Sequence, residues 1–249
     1  MRIEQVSDSV YAVRGTNVNW GLVSDGSGVT VIDAGYPADS ADLLKSVREI
    51  GHQLADVAAV LLTHAHLDHM GGIPALVEAT GVPVYTGAEE APHARREFQQ
   101  QITPPEMAGL LGSLRGAKWV AQTAWAVKWH VGMSIPSATA GDAQTLAQLP
   151  GGLVAIPTHG HTVGHTAYLM PAEGVLFSGD TLVSGHPIVR EQGPQVLPTV
   201  FNHDEQATRA AARSLAAYDA EVLVPGHGDV VREKVSVLAN SLLQDRDSR

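Results

Sequence analysis

Four apolar runs in this sequence end alike, with histidine or aspartate beside glycine. They are VLLTHAHLDHMGG at residues 60 to 72, VAIPTHGHTVGH at 154 to 165, VLFSGDTL at 175 to 182 and VLVPGHGD at 222 to 229. A short aliphatic run bounded by turn residues reads as a buried strand. Ionisable side chains packed at the end of such a strand are costly to desolvate unless something binds them. Groups at the same ends of several strands can converge on one cleft. The pattern therefore calls for a sheet protein whose chemistry sits where its strands stop.

The composition narrows what could be bound. Among 249 residues there is no cysteine, so disulfides, thiolate nucleophiles and cysteine-held metals are excluded. Any metal must be held by His, Asp and Glu, a donor set that suits zinc and also iron or manganese. A net charge of −10 argues against nucleic acid as a partner. No run of about 18 apolar residues suggests a membrane span. The start, MRIEQVSDSVYAV, lacks the basic and apolar regions of a signal peptide, so a cytoplasmic location is expected.

Along the chain, strands are expected at Val10 to Val13, Trp20 to Val23, Val29 to Ile32, Val57 to Leu62 and Val82 to Tyr85. A helix opens at Pro37 and another lies near Ile73 to Ala79. After residue 141 come strands at Leu153 to Pro157, Ala167 to Met170, Val175 to Phe177 and Val222 to Val224, with helices near 204 to 218 and 232 to 244. Asn202 and Glu205 resemble a helix cap and its partner. The reading is one α/β domain over residues 1–249, interrupted between about 88 and 140.

Two segments stand apart from that alternation. If Arg115 to His130 is one helix, Trp119, Trp125 and Trp129 share an arc of about 120°, while Val120, Ala124 and Val127 lie on another face. The valine face would pack on the body, leaving the tryptophans to wall a pocket, fill a packing interface or make a homodimer contact. Gly185 to Phe201, with three prolines, reads as a long loop of the kind that contacts substrate.

In the first motif, Gly71 and Gly72 allow a tight turn, so residues 64 to 69 are expected to form a loop. His64 and His66 then share a side, with Asp68 and His69 beyond the turn. His-x-His-x-Asp-His, followed in order by His161, Asp180 and His227, resembles the metallo-β-lactamase superfamily over almost the whole chain. The resemblance implies a four-layer αββα sandwich, with a helical insertion around residues 88–140. It implies one metal held by His64, His66 and His161, a second held by Asp68, His69 and His227, and Asp180 bridging them. Asp33, in VIDAGYP, and His165 match residues that support the ligands from behind, while Tyr36 and His186 fall near the pocket mouth.

Those assignments imply a dinuclear hydrolase, most simply with two Zn2+, in which a metal-bridging hydroxide attacks an electrophilic carbonyl. Asp68 and Asp180 are then the catalytic carboxylates, Asp68 passing a proton to the leaving group. Missing features narrow the branch. Lactamases of the main zinc type use a cysteine, and lactonases usually place tyrosine after the bridging Asp, where this chain has Thr181. Glyoxalase II enzymes carry a further helical domain, whereas only 22 residues follow His227. The expectation is a small ester, lactone or thioester as substrate. The alternatives are an iron persulfide dioxygenase and a non-catalytic binding protein on the same fold.

Overall fold

A computed structural model describes residues 1–242 of the chain. Its strands form two sheets. The first has seven strands in chain order: β1 (Arg2–Gln5), β2 (Val10–Arg14), β3 (Asn19–Ser24), β4 (Val29–Ile32), β5 (Val57–Leu61), β6 (Val84–Thr86) and β7 (Ala138–Ala140). β1 to β4 pair antiparallel, whereas β4 to β7 run parallel. The second sheet comprises β8 (Val154–Pro157), β9 (Thr166–Met170), β10 (Val175–Gly179) and β11 (Val222–Pro225), in the order β11-β10-β9-β8.

Side-chain alternation along the strands builds the layers. In β4, Val29 and Val31 face α1 (Ser40–Glu49), joining a core with Leu43 and Val47, while Ile32 faces the second sheet. In β10, Val175 and Phe177 point to the first sheet, and Leu176 points outward to Ala212 and Leu238. Three stacked cores therefore separate four layers, helices outside and two facing sheets within. This is the αββα sandwich.

The remaining helices are α2 (Leu67–Met70), α3 (Ile73–Thr80), α4 (Ala91–Ala94), α5 (Pro104–Gly109), α6 (Leu114–Val127), α7 (Ala143–Gln148), α8 (Glu205–Ser214) and α9 (Val235–Ser241). Among the described residues none is long and apolar enough to cross a membrane. Residues 243 and 244, the end of the last expected helix, lie outside the described residues.

Several local expectations need correction. The interruption at 88–140 is helical only as far as Val127. It ends in β7, which pairs with β6 and completes the first sheet. The cap of α8 is Asp204, whose carboxylate accepts from the Ala207 amide. Helix α6 stops at Val127 because Lys128 adopts φ 54°, a left-handed conformation. Trp129 and His130 therefore lie beyond it. The face that α6 buries is Gly116, Trp119, Thr123, Ala126 and Val127, so of the expected valine face only Val127 is fully packed, Val120 is half-buried and Ala124 is exposed.

Candidate metal centre

The parallel strands deliver their last residues to one end of the sandwich. Asp33 follows β4, His64 and His66 follow β5, Asp180 follows β10 and His227 follows β11, while His161 lies in the β8–β9 loop. Residues 67 to 70 are not loop but the helical turn α2, which carries Asp68 and His69. Backbone bonds stitch the strand ends together: Asn19 N donates to Gly226 O and Gly226 N to Gly179 O, both at 2.8 Å. Gly226 has no alternative, since a Cβ there would run into the Asp180 carboxylate and the His69 ring.

All seven expected ligand residues meet here. Three sets place their ligand atoms within 4.8 Å of one another: His64, His66 and His161; His64, His69 and Asp180; and Asp68, His69 and His227. Oxygen Oδ2 of Asp180 lies 3.4 Å from His161 Nε2 and 3.2 Å from His227 Nε2, and Oδ1 lies 3.3 Å from His69 Nε2. The carboxylate thus stands between the two groups of rings.

The rings face inward because each outer nitrogen is occupied. His69 Nδ1 donates to Asp33 Oδ2 at 2.8 Å, and His161 Nδ1 to Asn202 Oδ1 at 2.9 Å. His66 Nε2 donates to the Gln100 carbonyl at 2.8 Å, and His227 Nδ1 to the Asn17 carbonyl at 2.6 Å. Thr63 Oγ1 donates to Asp33 at 2.8 Å, which leaves its lone pair to accept from His64 Nδ1 at 3.0 Å. With the proton fixed outside, each inner nitrogen turns a lone pair to the centre. Partners of this kind orient metal-binding histidines.

The charges are unbalanced without a cation. Burial would raise the Asp180 carboxyl, yet His227 and His69 hold it well below the usual range. Burial would lower His69 and His227, but Asp180 above all overrides it and raises both. Burial holds His64 and His66 well below the usual imidazole value and also lowers His161. In a metal-free centre the buried anion thus favours the protonated form of His69 and His227. His69 Nε2 and Asp180 Oδ1 are buried without a hydrogen bond, aimed into the same space. These orphaned atoms and the converging lone pairs fit bound cations.

Behind the ligands, Asp33 accepts Thr63 N, Thr63 Oγ1 and His69 Nδ1, each at 2.8 Å, from a left-handed backbone at φ 60°. His165 spends both nitrogens there: Nε2 accepts the Asp180 amide at 3.1 Å, and Nδ1 faces Thr158 Oγ1 at 2.8 Å.

A cavity of about 900 Å³ opens above the centre. Its floor includes His66, Asp68, His161, Asp180 and His227. Tyr36, Trp119, Trp125, Trp129 and His186 all line it, joined from the 185–201 loop by Leu197 and Phe201. The tryptophans differ in setting. Trp119 is buried against His186 and Phe201, whereas Trp125 and Trp129 stand 64% and 95% exposed at the mouth. His186 is pushed down to about 3 by burial and by neighbouring His227. Apart from the centre's own carboxylates, Lys128 is the one charged lining residue among those described.

Reading the sequence overlooked Asn17, Thr63, Asn202, Gln100 and Glu90, all of which hold the centre in place. Thr63 and Asn202 were findable, since each is a small polar residue flanking a motif or its following helix. Nothing local marks the others.

The family model described as the metallo-beta-lactamase superfamily matches residues 13–227, and the chain belongs to that superfamily. It is similar to the probable metallo-hydrolase YflN of Bacillus subtilis, 26% identical over 89% of this chain and 85% of that protein. The hydroxyacylglutathione hydrolase of Rhodobacter capsulatus is 29% identical over 68% of this chain, an alignment spanning 48% of that protein. Among solved structures, BJP-1, a subclass B3 metallo-beta-lactamase of Bradyrhizobium japonicum, has a TM-score of 0.66 at 20% identity, covering 99% of this chain and 92% of that one. At that identity the likeness is one of fold. Within the superfamily the chain is a hydrolase.

Proposed function

We propose that this hydrolase works with two metal ions, zinc in the simplest case, on an ester, lactone or thioester that carries an apolar arm. The observation that carries the reading is the convergence of five oriented imidazoles and the Asp180 carboxylate beneath an apolar cavity. His64, His66 and His161 would hold one ion, Asp68, His69 and His227 the other, with Asp180 shared. Such a pair supplies Lewis acidity: it acidifies water towards neutral pKa and stabilises charge developing on an acyl oxygen.

The chain's own groups do the rest. Asp68, half-buried at the cavity floor with Oδ2 3.5 Å from His227 Nε2, is placed to hand a proton to the leaving group. Tyr36 keeps its proton because burial, and then Asp68, raise it well above the usual phenol value. Its hydroxyl lies 3.4 Å from Thr123 Oγ1, which ties α6 to the cavity. Trp119, Leu197 and Phe201 exclude water from the reacting bond and take up the apolar arm. Thioesters belong in the set because relatives are named as hydroxyacylglutathione hydrolases. Glutathione's two carboxylates would find one wall cation, Lys128, so the expected thioester is more apolar than that one.

The test is acid release by zinc-loaded and chelated protein against lactones, thioesters, esters, β-lactams and phosphodiesters of graded acyl length. Hydrolysis of one acyl class that rises with apolar length and vanishes on chelation is the expected result. Silence across the panel, or activity that survives chelation, overturns the proposal.

A further inference from the structure

Glu90 has no part in the chemistry above, yet its carboxylate is fully buried at the same end of the sandwich. It accepts four hydrogen bonds. Oε1 takes Ala65 N and His93 Nδ1, both at 2.7 Å, and Oε2 takes Thr162 Oγ1 at 2.7 Å and Gly164 N at 3.1 Å. Ala65 sits between His64 and His66, and Thr162 follows His161. One carboxylate therefore pins both loops that supply the His64–His66–His161 set.

The network runs further. Because His93 Nδ1 donates to Glu90, its Nε2 is free to accept the Gln100 amide at 3.1 Å. The Gln100 carbonyl is the group that takes the outer proton of His66, and its side-chain oxygen accepts Val163 N at 2.9 Å. Phe98 stacks on the His93 ring at 5.2 Å and covers it. The flanking residues Gln99 and Gln101 line the cavity. Glu90, His93, Gln100 and His66 thus form one chain of bonds from the carboxylate to a metal-facing ring.

We propose that Glu90 is a positioning residue that sets the His64–His66–His161 site and, through His93 and Gln100, couples it to the cavity wall at residues 99–101. The inference rests on the two-metal reading above. Four donors explain why it must be a carboxylate. A glutamine offers one oxygen and so can accept on one side only, and its NH2 meets donors on the other. Whichever way it turns, the Ala65 or the Gly164 backbone N–H loses its acceptor in a buried setting, and that loop shifts. The other ligand set is independent of Glu90, because Asp33 orients His69 and the Asn17 carbonyl orients His227.

The experiment is zinc titration of the full chain in competition with a chromophoric chelator, which resolves the two dissociation constants. Glu90→Gln is expected to weaken one ion about 10- to 100-fold and leave the other unchanged. On a His227→Ala background, where the His64–His66–His161 set remains complete, Glu90→Gln must still weaken the ion that is left. Thr162→Val, which removes one donor and keeps the carboxylate, should give a smaller loss at the same ion. It decides the matter if Glu90→Gln fails to fold. Unchanged constants in the variants, or equal weakening of both ions, overturn the positioning role. A wild type that binds no zinc instead refutes the two-metal reading itself.

Discussion

Replacing Asp33 by Asn isolates one hydrogen bond in the centre. Asp33 holds a left-handed backbone at φ 60°, which Asn tolerates as well as Asp does, so the substitution adds no conformational penalty. The lost oxygen decides the outcome. Oδ1 of Asp33 accepts Thr63 N, and Oδ2 accepts Thr63 Oγ1 and His69 Nδ1. An Asn oxygen turned to Thr63 N sets its NH2 against the Nδ1–H of a metal-bound His69. Turned the other way, it leaves the buried Thr63 amide unpaired. An unpaired buried donor costs about 1–3 kcal/mol. The two orientations spend that energy differently. A metal-free His69 ring can keep a proton on Nε2 beside Asp180, release the one on Nδ1 and accept from the amide, whereas a backbone N–H has no such escape. The first orientation is therefore preferred, and its cost appears only when a metal claims Nε2. Loss of a ligand's orienting partner weakens metal binding about 10- to 100-fold, or about 1.4–2.7 kcal/mol, which falls inside that range. Zinc competition titrations and urea unfolding of the metal-free protein are the assays. The expected result is a weakened zinc constant with little change in metal-free stability. A stability loss of about 1–3 kcal/mol with unchanged zinc affinity would show that the backbone amide loses its partner instead, and would refute the reasoning.

Two further outcomes follow from burial and charge. Burial would raise the Glu90 carboxyl, but bonds from His93, Thr162 and Ala65 hold it below its ordinary 4.5. A depressed folded value contributes stability above the unfolded value that is lost as pH falls through the folded one. The urea-midpoint gap between wild type and Glu90→Gln should thus be widest at neutral pH and close below about pH 4.5; a gap that widens in acid would contradict it. Trp119→Ala empties a buried site against His186 and Phe201 and should cost about 3–5 kcal/mol in unfolding. Trp129→Ala, at 95% exposure, should leave stability within about 0.5 kcal/mol while raising KM for the most apolar substrates, and equal losses from the two would undo the distinction.

The fold was legible where physics leaves a local mark. β3, β5 and β10 carry apolar runs because both faces are buried, so they stand out. The same burial made the ligands visible, since His and Asp at the end of such a run have no apolar excuse. β1 reads RIEQ and β7 reads ATA. Neither carries that mark, and both went unread because edge strands of this length are held by pairing rather than by composition. For α6, the wheel put the tryptophans on one arc but assumed a helix three residues too long. Lys128 breaks it, and nothing in Lys128 itself announces a left-handed residue.

What orients the centre was harder to see than what composes it, for a reason of chemistry. Asp33 could be suggested because a carboxylate at a strand end is a distinctive residue. His66 and His227 are held instead by the carbonyls of Gln100 and Asn17. Every residue offers a carbonyl, so residue type cannot mark the one that matters; only the path of the chain can. Asn17 takes that path at φ 63°, and its side chain donates to Gln122 of α6 at 3.2 Å. Helix α6, which lines the cavity, is thereby bonded to the residue that aims His227, as Gln100, between the lining residues Gln99 and Gln101, accepts from His66. His66 and His227 are thus each aimed by a backbone carbonyl that is tied to a different cavity-lining segment.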